Sequence, residues 1–169
     1  MKKTHPIIRF VKHLFSHPWQ AKRHFSTAAL HNIEQAIEVS EQKHLGEIRF
    51  IVETGLHPLE ILYKKTPKKR ALELFGRLNI WDTEHNNGVL IYLLLVDSDV
   101  EIVADRGIHQ HVGNAGWEQI CHDMEVHLRA GEFEAGVLQG IAEISAELEK
   151  HYPFAGLNKN EISNKPIIL

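Results

Sequence analysis

The sequence predicts an α/β domain in which a small mixed β-sheet is sandwiched between α-helices, and three observations carry that reading. Residues 47–53 alternate apolar and polar side chains with a period of two, the mark of a half-buried strand. Residues 88–96 form a continuous apolar run, which fits a strand covered on both faces. The triplet Asp97-Ser98-Asp99 then turns the chain, and residues 100–104 read as the second arm of a hairpin. A helix between the first two strands makes them parallel by default, while the hairpin adds an antiparallel partner.

The other elements follow in order. Residues 1–25 form a basic amphipathic arm, with Ile7, Val11, Leu14 and Phe15 at helical spacing before Pro18-Trp19. The domain proper spans residues 26–152. Ser26 or Thr27 caps a helix whose apolar stripe is Leu30, Ile33, Ile37 and Val39, and Gly46 ends it. Thr66-Pro67 places a cap and a first-turn proline at the start of a helix running to about residue 78. Two more helices cover residues 114–129 and 133–149, with stripes Trp117, Ile120, Met124, Leu128 and Phe133, Val137, Ile141, Ile144. Residues 153–169 lack periodicity and read as a tail.

Composition narrows the function classes. The chain has 169 residues, 43% apolar and 24% charged, enough for one packed domain and unlike a disordered chain. A single cysteine, Cys121, excludes an internal disulfide framework and suits a reducing, cytoplasmic setting. No apolar run approaches the roughly 20 residues of a membrane-spanning helix. Residues 1–33 hold six basic residues and no acid, which leaves a net charge of −9 on the remainder of a chain whose total is −3. A basic arm on an acidic body argues against specific nucleic-acid binding by the domain and leaves open contact of the arm with anionic lipid, RNA or an acidic partner.

The predicted register defines a candidate site. With a tight turn at 97–99, paired residue numbers sum to 194–196, which sets Asn87 and Gly88 beside Asp105, Arg106 and Gly107. A parallel first strand brings Glu47 to the same edge, within reach of Asp82, Glu84, His85 and Asn86. Glu47, Asp82, Asn87 and Asp105 are hard oxygen ligands that suit Ca²⁺ or Mg²⁺, and Arg106 can hold a phosphate. The plain alternative is turn chemistry, with Arg106 pairing Asp82 or Asp105.

Other motifs fail on inspection. The Asp97-Ser98-Asp99 triplet after an apolar strand resembles the start of the haloacid-dehalogenase phosphatases, but Glu101 and the absence of downstream lysine and paired-aspartate motifs break the match. An EF-hand starting at Asp97 would need glycine where Ile102 stands and glutamate where Ile108 stands. His109 and His111 with Cys121 or His122 leave a zinc ion without a fixed fourth ligand.

Taken together, the segments 46–52, 81–83, 86–92 and 100–108, followed by Trp117 and the stretch 133–136, resemble the TPM-domain family over about residues 26–152. The likeness is to its short bacterial form, without the signal peptide and membrane helix of longer members. It implies a three-layer fold. It also implies a choice of functions, since a plant chloroplast member is associated with photosystem II repair and described as an acid phosphatase, some members bind Ca²⁺, and others look like accessory subunits of membrane proteins. Two functions are therefore expected of this chain. The first is a non-catalytic accessory module for membrane-associated protein partners, peripheral to the inner face of a membrane, with a divalent cation as an option. The second is a metal-assisted phosphomonoesterase using Asp82, Asn87, Asp105 and Arg106.

Overall fold

The computed structural model describes residues 6–17, 19–156 and 159–169. Its centre is a four-stranded mixed sheet in the order β3-β2-β1-β4. Strand β1 (Glu47–Glu53) runs parallel to β2 (Gly88–Leu94), and β2 pairs antiparallel with β3 (Asp99–Ala104). The period-two pattern builds two cores. Ile48, Phe50 and Val52 of β1 and Val89, Ile91 and Leu93 of β2 face one cluster, whereas Ile51, Leu90, Tyr92 and Leu94 face the other.

The first cluster is closed by α3 (Thr27–Glu41), α6 (Arg106–Ala130) and α7 (Phe133–His151), and the second by α4 (Pro58–Leu62) and α5 (Pro67–Arg77). This is the predicted three-layer arrangement, and the caps are those the sequence offered. Ser26 Oγ accepts the amide of Ala29, and Thr66 Oγ1 that of Lys69, each satisfying an orphan first-turn donor. Gly88 is required by close approach: a Cβ there would run into the carbonyl of Ile80.

Four local expectations differ from the structure. The hairpin register sums to 193, as in Leu94↔Asp99, because the connection is a 3-10 turn over Leu95–Asp97 closed by left-handed Ser98 (φ 49°). This loop is longer than the tight turn the triplet implied, yet Asp105 still lies beside Gly88, donating its amide to that carbonyl at 2.9 Å. Val39 is 54% exposed, and the inward stripe of α3 is Ala29, Ile33, Ile37 and Ser40. Helix α6 starts eight residues early, with Asp105 as its N-cap, and kinks at Gly113 (φ 70°). Residues 153–169 do not all hang free: Ile167–Ile168 form β4, parallel to β1 at its outer edge. Two residues of strand are too short to show a period, which is why the sequence pattern did not reveal them.

The arm also takes a definite structure. It forms α1 (Pro6–Leu14) and α2 (Trp19–His24), and α1 packs on α4 and the 3-10 turn. Its docking face, however, is not the apolar stripe. His13, 2% exposed, and Arg9 point inward, while Ile7, Val11, Leu14 and Phe15 are 44–68% exposed.

Candidate functional site

The rim predicted from register exists as a backbone arrangement. Glu47 pairs with Gly88, and the β3 end with Val89, so Glu47, Asn87, Asp105 and Arg106 gather at one edge of the sheet. Most of their polar atoms serve the fold. The amide nitrogen of Asn87 donates to the Leu45 carbonyl at 2.9 Å, and its backbone N–H to Thr83 Oγ1 at 3.1 Å. The Glu47 carboxylate accepts the backbone N–H groups of Glu161 and Ile162 at 3.2 and 3.1 Å. Asp105 Oδ1 accepts the Arg106 amide at 2.7 Å as a helix cap. The Arg106 guanidinium donates to Asn86 Oδ1 at 3.1 Å and pairs with neither Asp82 nor Asp105. Asp82 lies exposed in the preceding loop, with no hydrogen bond or ion pair to its carboxylate among the described residues.

Two rim oxygens keep an open valence: Asn87 Oδ1 and Asp105 Oδ2 are buried without a partner. Beside them is a residue that sequence reasoning missed. The Tyr152 hydroxyl sits over Gly107, and burial followed by the charge of Asp105 pushes its pKa up. The His111 ring stacks on His151 at 4.3 Å, with Tyr152 edge-on to His111 at 6.1 Å. Tyr152 lay at the predicted domain boundary, where no motif marked it. Among the described residues, no group of three or more His, Cys, Asp or Glu is arranged to hold a metal ion.

Behind the rim lies a pair of buried carboxylates. Burial, with the charge of Glu47 next in size, pushes Glu41 up to about 8. Burial pushes Glu47 up to about 7, against the lowering effect of its two N–H donors. Both folded values lie above the ordinary carboxylate range, so between about pH 5 and 8 these two groups hold more protons in the folded than in the unfolded state. Below about pH 6.5 they are opposed by His44, which burial lowers to about 4. Stability is therefore expected to fall as pH rises through 7–8. Denaturant titrations at pH 5, 6, 7 and 8 check this slope, and Glu41→Gln should flatten it.

The second locus is the outer face of the arm. His13 Nδ1 accepts the Leu56 amide at 2.9 Å, so the ring proton sits on Nε2, facing Asp97 Oδ1 at 3.3 Å. Arg9 Nε reaches Asp97 Oδ2 at 2.9 Å. Burial raises the Asp97 pKa, but the hydrogen bonds from His13 and Arg9 outweigh burial and hold the carboxyl below its usual range. These polar anchors turn the helix so that its apolar residues face outward. Trp19 on α2, Leu59 and Leu62 on α4 and Tyr63 just after α4 are also 56–81% exposed. Between α1 and α2 lies a groove of about 470 Å³, lined by Lys12, Phe15, Trp19, Arg23, Leu95 and Val96 among others. Lys12, Lys22 and Arg23 are exposed and have no ion-pair partner among the described residues.

The model of the TPM domain family matches residues 21–147. The chain belongs to the TPM domain family. No curated protein matches it. Among solved structures, this TPM domain is similar to the BA42 protein from the psychrophilic bacterium Bizionia argentinensis. The TM-score is 0.75 at 26% identity, over 85% of this chain and 94% of that one. The N-terminal domain of a protein from P. gingivalis shares the fold at 16% identity, with a TM-score of 0.63 over 92% of this chain and 99% of that one. No helix among the described residues is long and apolar enough to cross a membrane.

Proposed function

We propose that this TPM domain is a non-catalytic docking module that lies on an anionic membrane surface through α1, α2 and α4, where membrane-associated protein partners reside. The observation that carries the reading is the outward-turned apolar face of the arm beside unpaired cations. Exposed Ile, Leu, Phe and Trp at neighbouring positions are costly in water unless something covers them. An amphipathic helix with a basic flank meets that need at a lipid interface: apolar side chains enter the headgroup boundary while Lys12, Lys22 and Arg23 attract anionic lipid. The remainder of the chain carries a net charge of −9, and its repulsion from an anionic surface favours approach with the arm first.

The test is co-sedimentation with vesicles. The protein should pellet with phosphatidylcholine/phosphatidylglycerol vesicles, the bound fraction should fall as salt rises, and pure phosphatidylcholine should retain little. Equal recovery in the supernatant with both lipids at low salt overturns the reading.

One observation favours a second reading. The partnerless oxygens Asn87 Oδ1 and Asp105 Oδ2 supply a neutral and an anionic acceptor at adjoining rim positions, a donor set suited to Ca²⁺ or Mg²⁺. Glu47 is already committed to two backbone N–H groups, so Asn87 and Asp105 carry this reading. Such an ion would polarise a phosphoryl oxygen, and Arg106, on the exposed side of the rim, would hold a second one. The phosphomonoesterase alternative, which also draws on Asp82, predicts turnover that Asp105→Asn abolishes. Cation binding alone predicts a rise in melting temperature that the same variant removes.

A further inference from the structure

The arm does more than present a basic, apolar face: with the 3-10 turn it forms a concave site. The groove bordered by α1, α2 and the turn holds about 470 Å³, within the roughly 300–1,000 Å³ of small-molecule sites. Its lining is built in pairs. Lys12 and Phe15 stand three residues apart, and the Phe15 amide donates to the Val11 carbonyl at 3.2 Å, so the helical turn brings both to one face. On α2, Trp19 and Arg23 stand four residues apart and share a face likewise. Leu95 and Val96 complete the apolar lining, and the Val96 amide donates to the Thr54 carbonyl at 3.1 Å.

The charge of the groove is uncompensated. The arm commits one guanidinium to its own docking, Arg9 to Asp97 at 2.9 Å. Lys12 and Arg23 have no hydrogen bond or ion pair among the described residues, and no described carboxylate lines the groove. Two open cations beside Phe15, Trp19, Leu95 and Val96 suit an occupant that is anionic at one end and aliphatic at the other. Gln20, the amide side chain on the lining, already accepts the His17 N–H through Oε1 at 3.2 Å. A nucleotide or a peptide would bury polar groups there with few partners, whereas an acyl chain buries none.

We infer that this groove seats a single anionic phospholipid, its phosphate between Lys12 and Arg23 and the start of an acyl chain over Phe15, Trp19, Leu95 and Val96. The inference rests on the docking reading and deepens it, because the domain then holds one lipid molecule as well as lying on many. A seated lipid also covers Phe15 and Trp19, which are 66% and 57% exposed. Diffuse attraction depends on how many cations the face carries, but a seat depends on which cations line it. Lys22 is exposed on the same helix as Arg23 and does not line the groove.

The experiment titrates the full chain with dihexanoyl-phosphatidylglycerol below its micellar concentration, with dihexanoyl-phosphatidylcholine and glycerol 3-phosphate as comparisons. Calorimetry should give saturable binding at one lipid per chain, roughly tenfold or more tighter than either comparison. The amide resonances of Leu95 and Val96 should shift while those of Ile167 and Ile168 stay. Arg23→Gln and Lys12→Gln should each weaken binding roughly tenfold, the loss of one charge-assisted phosphate contact. Lys22→Gln should change it by less than about twofold while still lowering partition onto anionic vesicles. Four results would each overturn the seat: no saturable binding of the monomeric phosphatidylglycerol, equal binding of the phosphatidylcholine, glycerol 3-phosphate binding as tightly as the lipid, or equal losses in Lys22→Gln and Arg23→Gln. Vesicle co-sedimentation that persists beside any of them leaves the docking reading standing, so the two failures are told apart.

Discussion

Replacing Arg70 by leucine should cost about 3–5 kcal/mol of stability, the largest effect expected of a single polar substitution here. The Arg70 guanidinium holds Glu53 through two bonds, Nε to Oε2 at 2.8 Å and a terminal nitrogen to Oε1 at 2.9 Å. Tyr92, fully buried, donates its hydroxyl to Glu53 Oε2 at 2.8 Å, and burial followed by the Glu53 charge drives its pKa upward. Glu53 is itself 7% exposed. Removing the cation leaves a buried carboxylate with one neutral donor, and in that position the desolvation penalty is no longer offset. Denaturant unfolding at pH 7 should show the loss, with a melting temperature lower by roughly 10 °C. The double variant Glu53→Gln/Arg70→Leu should recover part of the loss, because no net charge then remains buried. A loss below about 1 kcal/mol for the single variant would show that Glu53 is solvated rather than paired.

This triad explains a limit of sequence reading. Glu53 closes an alternating strand pattern, and an acid at a strand end is ordinarily solvated. Only the packing of α5 over the sheet, seventeen residues away in the chain, turns it into a buried pair. The two parallel strands, their alternating faces and the helix caps were legible because each follows from local periodicity or from a cap residue next to its helix. The gathering of Glu47, Asn87, Asp105 and Arg106 was legible too, since register propagates along a ladder even when the turn is misjudged. What those side chains do was not legible. Asp105 carries the same residue type whether it caps a helix or binds a ligand, and the choice depends on α6 beginning at Arg106. Glu47 gained its partners from residues 161 and 162, which show no pattern of their own. In the arm, apolar spacing marked a helix but did not reveal which face docks on the domain. Two polar anchors to Asp97 and the Leu56 amide outweighed the stripe.

Reversing the charge of the arm should abolish membrane association without unfolding the protein. Lys12, Lys22 and Arg23 are exposed, so Lys12→Glu/Lys22→Glu/Arg23→Glu leaves the packing of α1 and α2 intact. Each basic residue near an anionic surface contributes about 1 kcal/mol. The triple variant should lose about 3 kcal/mol or more, a fall of roughly 100-fold in partition onto anionic vesicles. Its melting temperature should stay close to that of the parent, which separates loss of docking from loss of fold. His13→Leu makes the complementary change: it removes the acceptor of the Leu56 amide and one donor to Asp97, loosening the arm while keeping its outer charges. Retained binding by the triple variant would mean that apolar burial alone holds the protein on lipid.

The most direct measurement of the docking geometry is the fluorescence of Trp19 on anionic vesicles whose acyl chains carry bromine. Trp19 is 57% exposed at the arm, Trp81 is 51% exposed between α5 and β2, and Trp117 is buried at 5%. Membrane insertion of the arm predicts a blue shift and strong quenching of the bound protein, both lost in Trp19→Phe. Quenching that survives in Trp19→Phe, or a bound protein whose emission is unchanged, would contradict it.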